Sequence, residues 1–289
     1  MTNDNTRRFS WAACVALARP GNVAITALSV WVAGVISTVH WQEYSTRLTL
    51  AAVSAALVAA GGNAYNDYCD RDLDRLQKGH RPIPSGRISA RAALLWSSFY
   101  FLVGILVALR LGTTGLSIAA WAGLLLILYS RYWKRQPLVG NVVVALVSAL
   151  AFLYGGVAVF SVRASLWAAT LAFFFHLGRE IIKDLEDVAG DRAAGAQTLP
   201  LRFGMNTARI AAMTSYFFLL LALPLPYFVG HFRSEYLLVI LCGVVPVLVI
   251  VMILSWQWSK PEQLHRLSLI LKLDMIVGLF ALYLGRPLW

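Results

Sequence analysis

Nine of the chain's fourteen carboxylates fall in two short stretches of an otherwise apolar sequence. The first stretch holds Asp67, Asp70, Asp72 and Asp74; the second holds Glu180, Asp184, Glu186, Asp187 and Asp191. Each follows a long apolar run. Acids this close repel one another unless a cation is bound among them. Hard divalent cations choose oxygen ligands, and Mg2+ combines one or two carboxylates with waters and phosphate oxygens of a substrate. The chemistry indicated is metal-assisted work on a phosphorylated molecule.

Spacing supports this reading. Asn66, Asp70 and Asp74 lie at i, i+4 and i+8, so a continuing helix carries them on one face, with Asp67 close enough to share it. Asp72 points elsewhere and is expected to pair with Arg71, Arg75 or Arg91. Glu180, Asp184, Asp187 and Asp191 lie at i, i+4, i+7 and i+11, a second stripe if the helix continues past Gly190. Glu186 lies off that stripe, within reach of Lys183 or Arg179. A single acid near a helix end is usually an interfacial charge paired with arginine. Two stripes on one side of a membrane suit a diphosphate gripped by Mg2+ from both sides.

The elements that must position these acids are membrane helices. The 289 residues are 59% hydrophobic and only 13% charged, with mean hydropathy +0.67. Soluble domains carry about a quarter charged residues. The expected fold is all-α, with about nine spans around a central cavity: 22–40, 48–66, 91–109, 112–130, 141–161, 165–182, 207–229, 236–258 and 267–285. No alternating ten-residue segments recur, which argues against a β-barrel. Nineteen of the 25 Lys and Arg residues lie in the N-terminus and the connections on one side. That bias makes this side, which carries both acid stretches, cytoplasmic. The charge of +11 is explained by topology and anionic ligands, and no nucleic-acid-binding module is present. Cys14, Cys69 and Cys242 are too scattered for a disulfide framework or zinc site.

The chain reads as one domain, 1–289, whose residues 1–18 form a cytoplasmic or interfacial segment. Arg19-Pro20-Gly21-Asn22 opens the first span. The loop Arg81-Pro82-Ile83-Pro84-Ser85-Gly86 cannot continue a helix, and Ser89 can cap the next one. Gly61 and Gly62 permit close helix packing just before the first acids. Acidic helix ends followed by polar loops occur after spans two and six, which suggests two half-repeats sharing one cavity.

These residues resemble the UbiA superfamily of intramembrane prenyltransferases. The family's first motif, N-D-x-x-D-x-x-x-D, matches Asn66, Asp67, Asp70 and Asp74; its second, D-x-x-x-D, matches Asp187 and Asp191, with Asp184 upstream. Arg19-Pro20-x-Asn22 and the proline loop also look like family features. The resemblance implies metal ligation by Asp67, Asp70, Asp74, Asp187 and Asp191, and substrate contact at Asn22. The family's Tyr and Lys after span four are matched by Tyr129 and Lys134, although Tyr132 or Arg131 are also in position. Gly61 to Ser89 and Arg179 to Pro200 look most like the geranylgeranylglycerol-phosphate geranylgeranyltransferases.

The mechanism implied by the resemblance is Mg2+-dependent prenyl transfer to a lipid acceptor, geranylgeranylglycerol phosphate, making an ether lipid. An aromatic quinone precursor or chlorophyllide is the alternative acceptor. Asn66, Arg71, Lys78, Arg81 and Lys183 are the expected diphosphate contacts. Asp67 or Asp184 is expected to take the acceptor proton, and Tyr65, Tyr68 or Tyr129 to face the allylic cation. His176 is expected to be packed rather than catalytic. Lys272 and Asp274 inside span nine require partners on other helices or a cavity. A cation-coupled transporter is the rival of another class, but its acids would lie near the midplane. CDP-alcohol phosphotransferases are excluded by the missing Asp-Gly and Ala-Arg pattern.

Overall fold

A computed structural model describes residues 11–287, apart from the side chains of Trp11, Leu76 and Gln77; Arg7 and Arg8 and most of the interfacial segment expected at 1–18 lie outside the described residues. Among the described residues there is no strand. The helices are α1 (Trp11–Ala18), α2 (Pro20–Ser37), α3 (Ser45–Gln77), α4 (Ala90–Ala108), α5 (Gly112–Leu128), α6 (Val139–Ala158) and α7 (Arg163–Glu186). Beyond them come α8 (Val188–Ala193), α9 (Leu199–Phe203), α10 (Met205–Ala222), α11 (Leu225–Phe228), α12 (Ser234–Val239), α13 (Val245–Gln257) and α14 (Pro261–Leu284).

Seven helical stretches among the described residues are long and apolar enough to cross a membrane, against nine expected. The difference has two causes. The stretch Ala90–Trp133 contains both α4 and α5, which part at Gly112, where φ is +84°. Helix α7 carries Arg179, Glu180, Lys183 and Asp184 in its last turns, too much charge for an apolar span. Its inner face is nonetheless the spine of the largest core cluster, where Phe175, Ile181, Ile182 and Leu185 meet Tyr216, Leu248 and Leu271. The outward face of α4 presents Leu95, Phe99, Leu102 and Leu106, each more than half exposed, at helical spacing. Such a stripe suits lipid rather than water. The chain is an integral membrane protein.

Helix α3 does the positioning. Thirty-three residues rise about 50 Å, longer than the ~30 Å hydrocarbon thickness. Its first six turns are apolar and its last three carry the acids, so the acids emerge at one end of the bundle. Gly61 and Gly62 do allow the close approach expected of them. A Cβ on Gly61 would stand 2.9 Å from the Phe101 ring, and one on Gly62 would stand 2.8 Å from Leu126. Ser97 Oγ donates to the Gly61 carbonyl at 2.9 Å, sealing α4 to α3 at that level.

The opposite end is closed by Arg47. Its guanidinium donates to the carbonyls of Ala158, Arg110 and Leu111 at 3.2, 3.4 and 3.1 Å and stacks on Phe160 at 4.4 Å. One cation thus ties the α4–α5 and α6–α7 turns to the start of α3. Charge-assisted hydrogen bonds of this kind are worth about 1.5–3 kcal/mol. Arg47→Ala is therefore expected to lower unfolding stability in detergent by about 2 kcal/mol, read from chemical or thermal unfolding; an unchanged midpoint would contradict the clamp.

Candidate active site

The first motif stays on one unbroken helix through Gln77, as its spacing requires. Asp67, Asp70 and Asp74 are all buried, between 3% and 4% exposed. Carboxylates buried this deeply need partners. Arg19, the residue before α2, pairs with Asp67. Arg81, from the proline loop, bridges Asp67 at 3.3 Å and Asp74 at 2.7 Å. Lys134 pairs with Asp70 and donates to Asn66 Oδ1 at 3.3 Å, while Asn66 Nδ2 donates to Asp70 at 3.0 Å. Asp72 is exposed beside Arg71 and Arg75, as expected.

Tyr129 opens a π-helical turn, Tyr129–Trp133, that ends α5, and Lys134 directly follows it. Gly140 holds that turn in place, since a Cβ there would stand 2.9 Å from the Trp133 carbonyl and 3.3 Å from the Tyr129 ring. Tyr129 lies within the electrostatic reach of Asp70, Glu180, Asp184 and Arg19, so it stands between the two motifs.

The second motif departs from the expected stripe. Helix α7 ends at Glu186, Asp187 has φ −91° and ψ 9°, and α8 starts at Val188. Only Asp187 and Asp191 stay in register, one turn apart, with Asp191 N–H donating to the Asp187 carbonyl at 2.9 Å. Asp184 turns aside and accepts from Asn141 Nδ2 at 2.8 Å. Glu180 is buried under Arg179 and Lys183, at 3.0 and 2.8 Å. Those two cations are therefore not the partners of Glu186, which pairs with His265 at 2.7 Å.

The two motifs meet. A cavity is lined by Asp70 and Asp74 on one wall and Asp187 and Asp191 on the other, with Lys78, Arg81, Lys134 and Arg135 around them. Burial raises the Asp191 carboxyl above the ordinary carboxylate range, and the charge of Asp187 pushes the same way. A bound cation would relieve both effects. Lys78 and Arg135 have no carboxylate partner among the described residues, which leaves their charge for an anionic ligand.

Other expected residues lie outside this lining. Asp67 sits beneath it, Lys183 is committed to Glu180, and Arg71 folds back on Tyr68, with its guanidinium 4.8 Å from the ring. Asn22 is exposed at the start of α2 and accepts from Lys272 at 3.4 Å. Tyr65 and Tyr68 stack on each other at 6.1 Å. His176 lines a separate apolar cavity with Phe175, Leu219 and Asp274. Spacing along the sequence did not reveal the roles of Arg19, Asn141 and Arg135. Asn141 was findable as an amide opening an apolar span, and Arg135 as the neighbour of Lys134.

Arg81 holds two buried acids together, so Arg81→Ala leaves both short of a counter-charge. Removing one partner of a buried pair costs on the order of 3 kcal/mol. Purified Arg81→Ala protein is expected to unfold at clearly lower denaturant concentration than wild type, with Arg81→Lys between the two. An Arg81→Ala variant as stable as wild type would remove this role.

The UbiA prenyltransferase family model matches residues 11–273. The chain is 38% identical over 268 residues to the digeranylgeranylglyceryl phosphate synthase of Methanopyrus kandleri, covering 92% of this chain and 96% of that protein. The synthase of the same name from Halobacterium salinarum is 37% identical, with 94% and 96% covered. A solved structure of a digeranylgeranylglyceryl phosphate synthase in membranes superposes with TM-score 0.80 at 28% identity, over 95% of this chain and 98% of the other. A UbiA homologue from Archaeoglobus fulgidus, solved with DMAPP and Mg2+, shares the fold with TM-score 0.71 at 22% identity, over 93% and 98%. With family motifs converging on one cavity and a family match over most of its length, the chain belongs to the UbiA prenyltransferases.

Proposed function

We propose that this prenyltransferase moves a geranylgeranyl group from its diphosphate to the free hydroxyl of geranylgeranylglycerol phosphate, with Mg2+ as cofactor. The observation that carries the reading is the shared cavity, where Asp70 and Asp74 confront Asp187 and Asp191 beside two cations without a carboxylate partner among the described residues, Lys78 and Arg135. The acceptor rests on the relatives, which carry the name digeranylgeranylglyceryl phosphate synthase. The basic-residue bias supports a cytoplasmic N-terminus and cytoplasmic site loops in the cell membrane. Residues 1–289 would work as one domain.

The residues present fit Mg2+. Among the described residues no three acidic, His or Cys side chains converge on one point. Mg2+ does not require that, because it takes one or two carboxylates and completes its shell with water and phosphate. Asp70 and Asp74 on one wall, and Asp187 and Asp191 on the other, are the oxygen donors to hold it. Asp67, beneath them, is a weaker candidate because Arg19 and Arg81 already engage it. When bound, Mg2+ neutralises the diphosphate and makes it a better leaving group.

The side chains do the rest. Lys78 and Arg135 bind diphosphate charge that carboxylate-bound metal does not cancel. Arg81 and Lys134, now paired with Asp74 and Asp70, would be available to phosphate oxygens if those carboxylates held a metal. The allylic C–O bond breaks, and the face of Tyr129 steadies the positive charge left on carbon. The acceptor hydroxyl forms the new C–O bond and gives up its proton. Asp184 suits that proton better than Asp67, since its partner is the neutral amide of Asn141.

Asp70→Ala and Asp187→Ala are each expected to abolish Mg2+-dependent transfer in folded protein, a loss of at least about a thousandfold if both walls act together. Full activity in both would refute the metal assignment. Incubation with geranylgeranyl diphosphate, Mg2+ and a mixture of geranylgeranylglycerol phosphate and aromatic acceptors should yield the doubly prenylated glyceryl phosphate by mass spectrometry. An aromatic product alone would overturn the acceptor.

A further inference from the structure

We propose that Lys272 of α14, with Asn22 of α2, binds the phosphate of the lipid acceptor; the assignment rests on the acceptor class proposed above. Lys272 lies inside a stretch apolar enough to cross a membrane. An ammonium in such a helix is costly and marks a functional position unless it is neutralised. No carboxylate lies within ion-pair distance of it among the described residues. Its polar partner is Asn22 Oδ1 at 3.4 Å, across the seam between α14 and α2. Asp274, two residues along, does not neutralise it. Asp274 lines the apolar cavity instead, and neither of its carboxylate oxygens has a partner.

The cations that touch the motif acids or line their cavity are already engaged. Arg19, Arg81 and Lys134 serve Asp67, Asp74 and Asp70, while Arg179 and Lys183 serve Glu180. Lys78 and Arg135 belong to the acidic cavity and its diphosphate. A second phosphorylated substrate therefore needs its own positive charge, and Lys272 is a cation left without an acid. It is also close to the chemistry. The Asn22 backbone N–H donates to the Arg19 carbonyl at 2.9 Å, within one turn of the Arg19–Asp67 pair. Around it the seam is lipid-facing: Leu269, Leu273 and Ile276 of α14 are about half or more exposed, as is Leu28 of α2. A monoester phosphate at Lys272 would leave an isoprenoid tail lying against these side chains.

The test compares wild type with Lys272→Met, Lys272→Arg and Asn22→Asp in full-length protein in detergent. Each is assayed with geranylgeranylglycerol phosphate and with its unphosphorylated counterpart. Lys272→Met is expected to raise the KM for the phosphorylated acceptor roughly ten- to a hundredfold, to leave the KM for geranylgeranyl diphosphate unchanged, and to erase the preference for the phosphorylated acceptor. Lys272→Arg should keep most of that preference. Asn22→Asp, which sets a carboxylate against the ammonium, should lose it, and decides the matter if Lys272→Met does not fold. An unchanged acceptor KM, or equal losses with both acceptors, would overturn the assignment. Wild type that consumes the donor yet prenylates neither glyceryl acceptor would instead overturn the acceptor class, and Lys272 with it.

Discussion

Buried negative charge is the constraint around which this molecule is arranged. Asp67, Asp70 and Asp74 are almost wholly removed from solvent at the end of one long helix. Isolated carboxylates in that setting would cost several kcal/mol each. Their cost is offset by cations delivered from three places distant in sequence: Arg19 before α2, Arg81 in the proline loop and Lys134 after α5. Each cation fixes the connection that carries it. The acids thus organise the end of the bundle.

The same interactions describe a site ready to exchange partners. Side-chain ammonium and guanidinium groups hold Asp70 and Asp74 in the structure, and a divalent ion with a diphosphate presents the complementary pair of charges. In the proposed reaction, carboxylates would turn to metal and cations to phosphate, and local charge would stay balanced. The apolar helices around the site would, in the same reaction, exclude water from a carbon that becomes positively charged. A clamp such as Arg47 closes the far end without drawing on any of these groups.

The first motif could be read from sequence because a single continuous helix carries it, and helical spacing then determines which side chains share a face. The second could be read only in part. Its spacing fits a straight helix as well, but the chain bends at Asp187, so Asp187 and Asp191 reach the cavity while Asp184 and Glu180 find other partners. Local spacing does not report where one helix ends and the next begins. The ion pairs were hidden for a related reason. Arg71 stands between two aspartates in sequence, yet it lies along Tyr68, while Arg81 from the distant proline loop spans two buried aspartates. The span count shows the opposite limit: α7 is too charged to qualify by composition, although its apolar face forms the main core.

The convergence of both motifs on a single metal-bridged diphosphate can be tested by replacing Mg2+ with Mn2+. Hyperfine coupling between Mn2+ and 31P of added inorganic diphosphate would be measured in the purified protein. Coupling is expected in wild type and should vanish both in Asp70→Ala/Asp74→Ala and in Asp187→Ala/Asp191→Ala protein. Coupling that survives loss of either wall would contradict a grip that needs both.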